Sequence, residues 1–193
     1  MPQQAKILAF AGSLRKDSYN KKLVRIAAGG AREAGAEVTY LDLADLPLPV
    51  FNEDLERENG LPPNARTLKD VMLAHQGFLI SAPEYNSSIT AALKNAIDWA
   101  SRPVPGEAPL ACFVGKTAAL MSASPGALGG LRGLVTVRAI LGNIHVLVLP
   151  DQVAVPKAHE AFAPDGTLKD SKQQASVAKL GANLAAVLGK LLG

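Results

Sequence analysis

Residues 7–20 read Ile7-Leu8-Ala9-Phe10-Ala11-Gly12-Ser13-Leu14-Arg15-Lys16-Asp17-Ser18-Tyr19-Asn20, an apolar run that gives way abruptly to a polar loop. Five apolar residues without alternation suit a strand buried on both faces, as in the middle of a parallel sheet. Gly12 lets the chain turn without a Cβ clash. From Lys21 to Ala34 the apolar residues Leu23, Ile26, Ala27 and Ala34 follow helical spacing, and Gly35 sits where a C-terminal cap belongs. Ser13, Arg15, Ser18 and Asn20 lie between strand and helix. Hydroxyl, guanidinium and amide donors placed where free N–H groups and the positive end of a helix dipole also point make a pocket for a dianionic phosphate. The same residues would equally serve a plain polar loop in which Ser18 caps the helix.

What the loop lacks narrows the ligand. It has a single glycine, so it is neither the G-x-G-x-x-G turn of a dinucleotide site nor the G-x-x-x-x-G-K-[ST] loop of a nucleotide triphosphatase. Side-chain donors in place of many glycines suit a terminal monophosphate wrapped on several sides, such as that of FMN.

Outward from this turn, Glu37 to Asp42 reads as a second strand reached by a crossover, completing a βαβ unit. Leu46 to Pro63 is punctuated by Pro47, Pro49, Asn52, Asn59, Gly60, Pro62 and Pro63 and reads as a long irregular segment, too apolar at Leu46, Leu48, Val50 and Phe51 for a free linker. A helix fits Ala65 to His75, a third strand Gly77 to Ala82, a helix Ser88 to Ser101, a fourth strand Thr117 to Ser122, a helix Leu134 to Leu141, a fifth strand His145 to Leu149, and a closing helix Lys169 to Leu192. Strands alternating with helices imply a doubly wound α/β sheet, with ligand at the carboxyl ends of the strands. The loops after the first, third and fourth strands should meet there: Ser13–Asn20, Pro83–Ser88 and Ala123–Gly130.

The chain has 193 residues, 48% of them hydrophobic and 19% charged, which suits one domain over 1–193 with a sizeable core. Its net charge of +3 is scattered along the chain and makes a weak case for nucleic acid. His75, His145 and His159 are far apart without ligand spacing, so no metal is expected. The single Cys112 sits in an apolar setting and is expected to be buried and inert. One cysteine, no secretory leader and no apolar run near the ~20 residues of a bilayer span point to the cytoplasm and away from the membrane.

The loop Pro83-Glu84-Tyr85-Asn86-Ser87-Ser88 has what a flat heterocycle needs: a stiff backbone, an aromatic face and main-chain groups for a ring edge. A type I turn with Tyr85 packed on the helix is the plainer alternative. Taken with GSLRKDSYN and SASPGALGGLRG, the run APEYNSSITAALKNAIDWASRP resembles the NADPH-dependent FMN reductase family of flavodoxin-like proteins, above all its bacterial chromate and quinone reductase branch. The resemblance spans about Lys6 to Pro156. It implies a flavodoxin-like fold, a five-stranded parallel sheet of order 2-1-3-4-5, non-covalent FMN, and NAD(P)H as co-substrate.

By the same resemblance, Ser13, Arg15, Ser18, Tyr19 and Asn20 hold the FMN phosphate and ribityl chain. Pro83, Glu84, Tyr85 and Asn86 run along the isoalloxazine, and Ala123, Ser124 and Gly130 close its other side. No side chain is required as a nucleophile, and Tyr85 positions the nicotinamide or the acceptor. The expected kinetics are ping-pong, with a quinone, a flavin, chromate or a similar compound as acceptor. The rival is an electron-carrier flavodoxin; that group is usually strongly acidic, whereas this chain has an isoelectric point of about 9.0. A homo-oligomer, dimer or dimer of dimers (a homotetramer), is expected from the apolar segment Leu46–Pro63 and from the helix with Val135, Val137, Ile140 and Leu141.

Overall fold

The computed structural model describes residues 4–193. In chain order its elements are β1 (Lys6–Ala11), α1 (Tyr19–Glu33), β2 (Glu37–Asp42), α2 (Glu53–Asn59), α3 (Pro63–Leu73), β3 (Gly77–Ser81), β4 (Glu84–Tyr85), β5 (Ser88–Ile89), α4 (Ala91–Ala100), β6 (Thr117–Ala123), α5 (Leu131–Asn143), β7 (Leu147–Val155), α6 (Ala158–Ala161) and α7 (Ser171–Leu191). Five strands pair in parallel in the order β2-β1-β3-β6-β7. Because β4 and β5 form a separate hairpin, this is the expected 2-1-3-4-5 order with two labels inserted.

The unalternating run of β1 is explained by two cores. Ile7, Ala9 and Ala11 pack with residues of α1 and α7 on one face, while Leu8 and Phe10 pack with residues of α3, α4 and α5 on the other. Each strand residue is buried whichever way it points, so no polar position interrupts the run.

Three expectations need correction. The Leu46–Pro63 segment is not irregular throughout, because it contains α2, capped by the Asn52 side chain accepting from Asp54 N at 2.8 Å. α2 buries none of its residues, so it has no apolar stripe to read. The segment is fastened to its own chain: Pro49 O accepts from Trp99 Nε1 at 2.8 Å and from Asn95 Nδ2 at 2.9 Å, and Phe51 packs edge-on against Trp99. The last strand is longer than expected, running on through Pro150 to Val155 with a register break opposite Ala118–Leu120. Proline is tolerated there because β7 is an edge strand, where no neighbour waits for its missing N–H. Finally, α1 and α5 start two or three residues earlier than their apolar patterns do.

At the amino-terminal end of the sheet, Lys116 and His75 are held by hydrogen bonds. Lys116 Nζ donates to Leu73 O at 3.2 Å and to His75 O, while the His75 ring bridges Val71 O and Thr39 Oγ1. Cys112 is buried here, and burial pushes its thiol pKa up, away from thiolate chemistry.

Candidate active site

At the opposite end of the sheet, the three loops meet as the strand order requires. The first loop is built by short-range bonds. Ser18 is the N-cap of α1, its Oγ accepting from Asn20 N at 3.2 Å, and Ser13 Oγ accepts from Arg15 N at 3.3 Å. Ser18 therefore does cap the helix, which leaves its hydroxyl proton free to donate outward. Among the described residues, the N–H groups of Ser13, Leu14, Lys16 and Asp17 find no protein acceptor, and the exposed Arg15 side chain has no partner. Thr90 fixes the loop from below: its Oγ1 donates to Gly12 O at 2.6 Å and accepts from Leu93 N as the cap of α4.

Asn20 has a different job. Its buried amide accepts from Ser81 Oγ at 2.7 Å and Ala123 N at 3.0 Å, and its Nδ2 donates to Ala123 O at 2.8 Å. One side chain thus ties the start of α1 to the ends of β3 and β6, leaving a single amide hydrogen for a ligand. Tyr19 stacks on Phe162 with centroids 5.8 Å apart.

The second loop is a hairpin. Glu84 pairs with Ile89 and Tyr85 with Ser88, and Asn86 and Ser87 turn the chain with φ of 51° and 67°. Positive φ at both central residues belongs to a type I′ turn, so the type I alternative is incorrect. Tyr85 is 55% exposed, so it is presented to the open side and not packed on a helix.

The Glu84 carboxylate turns away from the open side toward α5. It accepts from the backbone N–H of Arg132 at 3.0 Å and of Gly133 at 3.1 Å, and pairs with the Arg132 guanidinium at 2.6 Å. Burial by itself would raise its pKa, but the Arg132 side chain and the two N–H groups outweigh that and hold the carboxyl below the usual glutamate range.

In the third loop, Ser124 N donates to Val155 O, and Ser124 Oγ accepts from Gly126 N at 3.3 Å. Gly130 is the N-cap of α5 at φ 91°, and a Cβ there would collide with Ser122 Oγ, a buried hydroxyl with no partner.

Ser13, Arg15, Ser18, Tyr19, Asn20, Pro83, Glu84, Tyr85, Ala123 and Ser124 line one cleft, joined by Pro125. Of the expected residues only Asn86, at the hairpin tip, and Gly130, beneath the third loop, are not on its wall. Sequence reasoning missed Thr90, Ser81, Ser122 and Arg132. Thr90 could be read only as a candidate cap, Ser81 and Arg132 act through partners distant in the chain, and Ser122 is a buried hydroxyl without a partner.

A five-stranded parallel sheet of this order, with helices on both faces, defines the flavodoxin-like class. The cup of unpartnered donors after β1 suits a monophosphate: an orphan row of N–H groups, two hydroxyls and a free guanidinium, with no second glycine turn for a dinucleotide.

Comparison with known proteins carries this further. The model of the family described as NADPH-dependent FMN reductase matches residues 5–160, and the chain belongs to that family of oxidoreductases. It is 37% identical over 174 residues to an NAD(P)H-dependent FMN reductase of Pseudomonas aeruginosa, covering 89% of each chain. It is 35% identical over 193 residues to an NAD(P)H:quinone oxidoreductase of Solanum tuberosum, covering 97% of this chain and 95% of that protein. Among solved structures it resembles FerB, a flavoenzyme NAD(P)H:(acceptor) oxidoreductase of Paracoccus denitrificans, with a TM-score of 0.79 and 29% identity over 96% of this chain and 98% of that one.

Proposed function

We propose that the chain, acting over its whole length as one FMN-binding unit, holds FMN non-covalently in this cleft and is an NAD(P)H:quinone oxidoreductase with ping-pong kinetics. The observation that carries the proposal is the first loop: four unpartnered N–H groups, the Ser13 and Ser18 hydroxyls and an exposed, partnerless Arg15 in one turn, within a chain of this family. Bound FMN supplies the redox chemistry, accepting hydride equivalents from NAD(P)H and passing electrons to the acceptor. The protein's own residues bind and orient. Arg15 and the loop N–H groups neutralise the phosphate, Asn20 holds the loop against the sheet, Pro83 to Tyr85 form one wall, and Ala123 and Ser124 form the other. Tyr85, exposed beside the cleft, positions the nicotinamide or the acceptor. No cysteine takes part, since Cys112 is buried.

Among the described residues no helix is long and apolar enough to cross a membrane. We place the protein in the cytoplasm, where NAD(P)H and a free thiol are both maintained. We also propose a homo-oligomer, on revised grounds. Val137 and Leu141 are buried in the chain's own core, and Leu46 and Leu48 pack against it, so they do not argue for a partner. Val135, Leu131 and Leu128 remain exposed along the start of α5, and this apolar strip next to the cleft supports self-association.

The test is direct. Purified protein should be yellow with one FMN per chain, oxidise NADPH or NADH with a quinone acceptor, and give parallel double-reciprocal lines. Free flavin and chromate belong in the same acceptor panel. FMN should bind far better than riboflavin or FAD; equal affinity for all three would remove the phosphate cup from the proposal. Light scattering during size-exclusion chromatography checks assembly, a mass near 20.1 kDa with full activity excluding it.

A further inference from the structure

The hairpin β4–β5 is clamped to the first turn of α5 by contacts that the cleft itself does not require. A helix leaves its first N–H groups free, and α5 has no side-chain cap of its own because glycine occupies its N-cap. The cap comes instead from Glu84, 48 and 49 residues earlier, whose Oε2 takes the N–H groups of Arg132 and Gly133 while Oε1 accepts from Arg132 Nε at 2.9 Å. The Glu84 side chain is only 8% exposed and Arg132 58%, so the carboxylate end of the clamp is shielded while its guanidinium end faces solvent.

Glycine allows the close fit. A Cβ on Gly133 would lie 3.3 Å from Glu84 Cβ and 3.4 Å from Ser88 O, tight enough that the hairpin would have to shift by a few tenths of an ångström. The far end of the hairpin holds Asn86 and Ser87 in the left-handed region, which L residues visit rarely and which a two-rung ladder does not sustain alone.

We propose that Glu84 is a positioning residue: its carboxylate does not touch FMN but locks the Pro83–Tyr85 wall onto α5, so that this side of the cleft is already in place before the cofactor arrives. The inference rests on the FMN reading above. A wall held in advance removes ordering that binding would otherwise have to supply, so releasing it weakens binding without removing any contact to the ligand. Glu84→Gln keeps the size of the side chain and some acceptor capacity but loses the charge that holds Arg132. Gly133→Ala keeps the carboxylate and displaces the hairpin by sterics alone.

Serial dilution of holoenzyme, followed by the fluorescence of released FMN, measures both variants against the wild type, with the thermal unfolding midpoint and quinone kinetics recorded alongside. Glu84→Gln should raise the FMN dissociation constant roughly tenfold and raise KM for the quinone more than it lowers kcat, and Gly133→Ala should move both in the same direction. The unfolding midpoint should fall only modestly, through the loss of one ion pair at the surface and of the stabilisation that tighter FMN binding supplies. A lowered midpoint with unchanged FMN affinity would mean that the clamp is structural only and overturns the proposal, as would wild-type affinity in both variants. Should Glu84→Gln fail to fold, Gly133→Ala decides alone. A wild-type chain that retains no FMN overturns the FMN reading and this proposal with it, whereas FMN-loaded wild type beside indifferent variants overturns this proposal only.

Discussion

The loop after β1 and the hairpin after β3 wall the same cleft, yet they use polar residues in opposite ways. In the first loop the donors that point outward, Arg15 and a row of N–H groups, have no partners within the chain, and the fixed geometry comes from Ser13, Ser18, Thr90 and Asn20 beneath them. In the hairpin the one charged side chain, Glu84, is consumed by α5, and what faces the cleft is backbone and the exposed Tyr85. A dianionic phosphate has to be met by free donors, whereas a flat ring has to be met by a surface in a fixed place. Under the proposed function, unpaired donors serve the first task and a fully paired anchor serves the second.

The sharpest way to break the contrast is at Asn20. Asn20→Ala removes three buried hydrogen bonds and leaves Ala123 N–H, Ala123 C=O and Ser81 Oγ without partners. Each orphaned group costs about 1–3 kcal/mol, so urea unfolding should show a loss of at least about 3 kcal/mol, with FMN affinity falling as a consequence. A loss below about 1 kcal/mol would show that water replaces the amide and that the first loop is not braced from below.

Arg15→Ala should do the reverse, leaving stability unchanged and weakening FMN binding. Charge-assisted hydrogen bonds are worth about 1.5–3 kcal/mol, a roughly ten- to hundredfold rise in the dissociation constant. Riboflavin, which lacks the phosphate, should bind the variant and the wild type alike; if it too weakens, Arg15 acts on something other than the phosphate.

Acid separates the two regions next. The Glu84 pKa is lowered in the folded state, so its contribution to stability is present above the unfolded value near 4.5 and is lost as pH falls through the folded value. Wild type should therefore lose stability as pH falls below about 4.5, and Glu84→Gln should show a shallower loss over that window in thermal unfolding scans. Identical slopes would mean that other carboxylates, Glu107 among them, carry the acid response.

The smallest effect is expected at the hairpin tip. Ser87→Gly relieves a left-handed L residue at φ 67°, a gain of about 0.5–1 kcal/mol after the entropy that glycine adds to the unfolded chain, or about 2–3 °C in Tm. A fall in Tm would show that the Ser87 side chain makes a compensating contact.

Much of this was legible beforehand. The local shape of the loop after β1 is legible because Ser13 and Ser18 bond to N–H groups only two residues on. The bonds of the Glu84 carboxylate are hidden for the opposite reason: the residue lines the cleft, but nothing near it in the chain reveals that its carboxylate pairs with Arg132 and Gly133. α2 escapes notice because a helix with no buried face leaves no apolar period. The β7 extension escapes because Pro150 signals an end wherever the strand's place in the sheet is unknown.

The sequence by itself determined the parallel sheet, the helices that bury an apolar face, and the end of the sheet where the three loops converge, because hydrophobic period and turn chemistry act over a few residues and are written locally. Only the tertiary structure decided which polar groups at that place are free and which are taken. Asn20 and Glu84 look as available as Arg15 in the chain, and they lose that availability to acceptors and donors tens of residues away. The cleft's charge and rigidity follow from those long-range pairings, which no local pattern encodes.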